Sequence, residues 1–80
     1  MKIPRDLSGS DLAKALRELG YETTRQTGSH VRLTTLAGGE HHVSVPMHKV
    51  LPIGTLRSIL NEVGRHFDMS ADDVAARLFS

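Results

Sequence analysis

Leu12, Leu16 and Leu19 recur at helical spacing, with Leu7 just ahead of them, while Asp11, Lys14, Arg17 and Glu18 fill the positions between. Residues three and four apart share one side of a helix. The stretch therefore predicts a helix over about residues 9–19. Ser8 with Asp11 offers an N-terminal cap, Ser10 competes for that role, and Gly20 supplies the stop. The period then changes. Tyr21 to Gln26 is rich in Thr and Tyr, which suits a strand. His30 to Thr35 alternates, with Val31 and Leu33 on one side and His30, Arg32 and Thr34 on the other. Glu40 to Val45 alternates again, placing His41, Val43 and Val45 opposite His42 and Ser44. Thr27-Gly28-Ser29 and Ala37-Gly38-Gly39 read as the turns of an antiparallel meander.

After Pro46 and a loop over Met47–Pro52, the period returns to that of a helix. Gly54-Thr55 opens it, Leu56, Ile59, Leu60 and Val63 form its stripe, and Gly64 is expected to close it. Ser70 caps a last short helix over Ala71–Phe79, with Asp72 and Asp73 near its positive end and Val74, Ala75 and Leu78 on its apolar side. The predicted class is α+β: an α-β-β-β-α order, a three-stranded antiparallel sheet with both main helices on one face, and a short C-terminal helix. A sheet with one apolar face needs such cover. The other face stays open, and the pleat puts His30, Arg32, His42 and Ser44 on it.

At 80 residues the chain is expected to be one domain spanning 1–80. Its few aromatics, Tyr21, Phe67 and Phe79, point to an aliphatic core. The absence of cysteine excludes disulfides, thiolate metal sites and a cysteine nucleophile. The first six residues hold no apolar run of the signal-peptide kind, and no segment nears the ~20 apolar residues of a membrane span. The expected location is the cytoplasm. The formal net charge of +1 hides an uneven distribution. Between Thr23 and Ser58 stand four cations (Arg25, Arg32, Lys49, Arg57) against the single acid Glu40, together with four of the five histidines. A basic middle suits a polyanion.

His30 is the candidate for chemistry. It follows Gly28-Ser29 at the entry to a strand, on the side opposite Val31 and Leu33. An imidazole both takes and gives a proton near neutral pH. RNA cleavage needs those two acts, at the ribose 2′-hydroxyl and at the departing 5′-oxygen. Arg25, Arg32, Lys49 and Arg57 can hold the phosphate and offset its developing charge. The Ser29 hydroxyl can steady it, and Gly54 and Thr55 offer free amides at the positive end of a helix. His42 is expected beside His30, where it would tune the ring or touch substrate, and His48 lies in the loop that precedes the second helix. The second proton transfer is open between water, His42 and His48. His41 reads as packed against Val43 and Val45, and His66 as solvated beyond Gly64. Zinc held by His30, His42 and His48 is the weaker alternative, because no His-x-x-x-His spacing or accompanying Glu motif is present. No metal or cofactor is expected.

The order Gly20-Tyr21, Arg25, Gly28-Ser29-His30 resembles the Gly-aromatic, Arg, Gly-Ser-His pattern of the HicA (YcfA-like) toxins. Val43-Ser44-Val45-Pro46, His48 and Gly54-Thr55-Leu56-Arg57-Ser58-Ile59-Leu60 are similar to that family's second block, and Gly64 with Ser70-Ala71-Asp72-Asp73 to its usual end. The resemblance covers about Leu7 to Val74. It implies a fold like the double-stranded-RNA-binding domain and a metal-independent endoribonuclease that cuts mRNA. It implies the histidine of Gly-Ser-His, here His30, as the essential residue. It also implies a HicB antitoxin that covers the active surface in a hetero-oligomer. Two departures stand out: Pro52-Ile53 occupy the place of a frequent Lys, leaving Lys49 as the only cation of that loop, and Val31-Arg32-Leu33 lacks an aromatic. The alternative functions are a non-catalytic RNA-binding module of the same fold and a surface that only binds another protein.

Overall fold

The computed structural model describes residues 3–79. Helix α1 (Gly9–Leu16) continues into a 3-10 turn (Arg17–Leu19) that Gly20 ends in a left-handed conformation. Strands β1 (Glu22–Thr27), β2 (His30–Thr35) and β3 (His41–Pro46) follow, then helices α2 (Ile53–Phe67) and α3 (Ala71–Phe79). The three strands form one antiparallel sheet in the order β1-β2-β3. This is the α+β architecture expected.

Ser8, not Ser10, caps α1. Its hydroxyl accepts the Asp11 N–H at 2.9 Å, and the Asp11 carboxylate accepts the Ser8 N–H at 3.2 Å. Two otherwise orphaned donors are satisfied reciprocally. The hydroxyl and amide of Ser8 hold the Asp11 carboxyl below the usual carboxylate range, with a smaller contribution from Lys14. Leu7 and Leu12, on either side of this cap, both enter the core.

The core joins Leu12, Leu16 and Leu19 to Val31, Leu33, Val43 and Val45 of the sheet and to Leu56, Ile59, Leu60 and Val63 of α2. Both main helices thus cover the same sheet face. The helix α3 pair Val74 and Ala75 closes the far side. The core is not wholly aliphatic, because Tyr21 is fully buried. Its position just outside the edge strand turns the ring inward, and its hydroxyl bonds the His41 Nδ1 at 2.8 Å. Burial, reinforced by the Glu62 charge, pushes the Tyr21 phenol up to about 12.

Helix α2 does not end at Gly64. It runs to Phe67 and stops at Asp68, whose φ of 57° is left-handed. Gly64 serves a different need: a Cβ there would collide with the Met69 carbonyl, because the chain turns back tightly into α3. The extra turn keeps His66 in the helix and half-buried rather than solvated. Its Nε2 lies 2.9 Å from the Ala37 carbonyl oxygen, and its ring stacks on His41 at 4.4 Å with planes 7° apart.

This stack has a consequence for stability. Burial holds His41 below the ordinary histidine range, and the His66 and His42 charges add to it against an opposing contribution from Glu62. A histidine whose folded pKa lies below its unfolded value of ~6.5 resists protonation in the folded state only. Stability is therefore full above that unfolded value and declines as pH falls toward the folded one. Melting temperatures measured from pH 7.5 down to 5 should fall across this window, and the slope should lessen in His41→Gln. A flat profile would contradict the assignment.

Candidate nucleic-acid interface

A one-residue irregularity shapes the open face of the sheet. Thr23 pairs with Leu33, but the next pair is Arg25 with Arg32, so Thr24 is an extra residue in β1. Its hydroxyl is held 2.8 Å from the Thr34 hydroxyl and 3.3 Å from the Arg32 carbonyl oxygen. Strict alternation from Thr23 would have sent Arg25 to the helix-covered side. The bulge re-aims it to the open side.

Register then sets three rows on that face. Thr27, His30 and Pro46 form the first, Arg25, Arg32 and Ser44 the second, and Glu22, Thr34 and His42 the third. The Gly28-Ser29 turn that delivers His30 has Gly28 at φ 59°, a conformation glycine adopts without strain. The Ser29 carbonyl accepts the Met47 N–H, which ties this turn to the chain leaving β3. His30 is exposed, as sequence alternation requires.

Helix α2, which covers the opposite face, borders this one along β3. An open groove of about 840 Å³ is lined by His30, Arg25, Arg32 and His42 from the sheet side and by Gly54, Thr55, Ser58 and Glu62 from the helix. The core residues Val43 and Ile59 border it. Helix α2 starts at this groove without a side-chain cap, behind Pro52, and with no acid in its first turn. Its first free amides therefore face an unneutralised positive end. Among the described residues, the guanidinium groups of Arg25 and Arg32, the His30 ring and the Glu62 carboxylate have no hydrogen-bond or ion-pair partner. Apart from His42, which is bound to Glu40, the charged side chains of the groove are uncommitted.

Of the residues singled out in the sequence, Arg25, His30, Arg32, His42, Gly54 and Thr55 meet in this groove. Gly28 and Ser29 sit in the turn beside it. His48, Lys49 and Arg57 are exposed but do not line it. The His48 carbonyl instead accepts the Gly9 N–H at 3.0 Å, fastening the loop to α1.

His42 is not beside His30. Its row lies four residues along β2, roughly 13 Å away at ~3.3 Å per residue. Both of its nitrogens are engaged, Nδ1 with the Thr34 hydroxyl at 2.7 Å and Nε2 with the Glu40 carboxylate at 2.8 Å. Two groups that far apart cannot serve the two oxygens of one phosphodiester. Among the described residues no three His, Asp or Glu side chains converge as metal ligands, so His30, His42 and His48 do not make the zinc set considered from spacing. Ser58 and Glu62 were missed in the sequence. They follow Gly54 at intervals of four, which places all three along one helix side, but nothing in the chain says that this side flanks the sheet.

Residues 9–64 match the family described as the HicA toxin of bacterial toxin-antitoxin. The match covers most of the chain and contains every residue of the groove. The chain belongs to the HicA toxin family. No curated protein and no solved structure matches it. As a HicA-type toxin it works within a toxin–antitoxin pair, which implies an antitoxin as its partner. Among the described residues of this HicA toxin, no helix is long and apolar enough to cross a membrane.

Proposed function

We propose that this HicA toxin is an endoribonuclease that cuts mRNA without a metal, with His30 as the catalytic residue. The observation that carries the reading is the groove itself. An exposed imidazole, two uncommitted guanidinium groups and the uncapped start of α2 line one open channel.

In this reading the ribose 2′-oxygen attacks the adjacent phosphorus and loses its proton, while the bond from phosphorus to the 5′-oxygen breaks and that oxygen gains a proton. His30 carries one of these two protons and water carries the other. Arg25 and Arg32 bind the phosphate backbone and stabilise the charge that develops on its oxygens. The free amides of Gly54 and Thr55 add a second anion contact. Gly28 and Ser29 hold the His30 turn, and the Ser29 hydroxyl steadies the phosphate. His48, Lys49 and Arg57, outside the groove, add long-range attraction for RNA. One histidine is a small catalytic set, so turnover is slow. The antitoxin is of the HicB type and silences the toxin by covering the groove.

The chemistry predicts its own products. Purified chain incubated with RNA in excess EDTA should yield fragments ending in 2′,3′-cyclic phosphate and beginning with 5′-hydroxyl. Cleavage that stops with chelator, or leaves 5′-phosphates, would refute a histidine-only mechanism. Tight binding without any cutting would leave the protein an RNA-binding module.

A further inference from the structure

The groove is not uniform along its length. Helix α2 returns beside β3 in the opposite direction: His66 near its end stacks on His41 at the start of β3, and Gly54 and Thr55 at its start share the groove with His30, which pairs with Pro46 at the end of β3. From Gly54 to Glu62 the helix rises ~12 Å, close to the ~13 Å between the His30 and His42 rows of the sheet. One end therefore combines His30 with the positive start of α2, the middle holds Arg25 and Arg32, and the far end combines Glu62 with His42 and its partner Glu40.

A phosphate suits the first two zones better than the last, where the Glu62 carboxylate stands with Arg65 and with the paired His42 and Glu40. The far end fits a different part of a nucleotide. His42 has both nitrogens bound within the protein, so its ring is fixed, and its side chain remains 34% exposed. A fixed, partly exposed aromatic ring is a surface on which a base can stack. Glu62, beside it, is a free pair of acceptors. Of the four bases only guanine presents two adjacent donors, N1–H and the N2 amine, on its Watson–Crick edge. Adenine and cytosine put an acceptor nitrogen next to their amine, and uracil sets its single N–H between two carbonyls. That edge is reachable only in an unpaired strand.

We propose that Glu62 selects a guanine base of single-stranded substrate, at one fixed position on one side of the cut. The proposal rests on the nuclease reading and adds the specificity-determining residue.

The test uses the full chain and a random-sequence pool of single-stranded RNA, with fragment ends sequenced and base frequencies counted relative to the cut. Guanine should exceed uracil at one position by roughly five- to a hundredfold, the discrimination that a bidentate side chain–base contact supplies. E62Q and E62A should both flatten that position. The readout is the ratio between sites cut in the same reaction, so a change in overall rate does not enter. Inosine placed at that position, which lacks the N2 amine, should be cut with intermediate preference. Cutting with no guanine enrichment overturns this proposal alone, as does an enrichment that E62Q leaves unchanged. A folded chain that leaves the whole pool uncut overturns both this proposal and the nuclease reading.

Discussion

His30→Ala is expected to lower RNA cleavage by a factor on the order of 10²–10⁴, the usual contribution of a positioned proton carrier, and to lift growth arrest on induction. The same substitution should leave the fold untouched. The ring stands exposed on the first row of the sheet, across from Thr27 and Pro46, and its neighbour Val31 rather than His30 enters the core. Exposed substitutions of this kind change stability by about 0.5 kcal/mol or less. RNA binding should persist, because the guanidinium groups of Arg25 and Arg32 remain. Cleavage rate, RNA affinity and melting temperature measured on one preparation separate these effects. Wild-type cleavage in His30→Ala would end the assignment, and a large fall in melting temperature would recast His30 as structural.

Gly64→Ala should destabilise the protein by about 1–3 kcal/mol, the range for forcing extra volume into a packed site. Ordinarily the sign is opposite, since alanine in mid-helix is favoured over glycine by about 1 kcal/mol. Here the added methyl meets the Met69–Ser70 backbone: the Met69 carbonyl oxygen, its carbon at 3.3 Å and the Ser70 carbon at 3.4 Å. The Met69 N–H also donates to the Gly64 carbonyl at 2.8 Å, so the corner between α2 and α3 is closed around the glycine. Each kcal/mol corresponds to about 4–8 °C in a domain of this size. Gly54→Ala, where a Cβ meets nothing within 4 Å, provides the contrast. A higher melting temperature in Gly64→Ala would mean that the corner can open at little cost.

These two positions also show what a reader of the sequence could see. The His30 side of the sheet followed from alternation, because period two forces every second residue to one face. The stripes of α1 and α2 followed from leucines and isoleucines at helical spacing. Gly64 misled because a glycine near a helix end reads as a stop, whereas the pressure on it comes from Met69, in a turn whose path no local pattern encodes. The misplacement of His66 followed from that. The sequence puts His42 on the right face but beside the wrong neighbour, since alternation gives the side of a residue and only strand register gives its row. Arg25 reads as a phosphate ligand from its charge and from its place ahead of Gly28-Ser29-His30. Its delivery to the groove depends on the bulge, which leaves no mark in a run such as Thr23-Thr24-Arg25-Gln26.

The extra residue at Thr24 gives strand β1 two phases. Before it, the chain keeps time with the covered side of its neighbour, and after it, the beat is shifted by half a period. Chain length here carries chemical meaning. Two related toxins could share the same arginine and the same turn, yet a single gap in this strand would aim the cation at opposite sides of the sheet, so an alignment that slides the gap freely would misjudge which of them can grip a backbone.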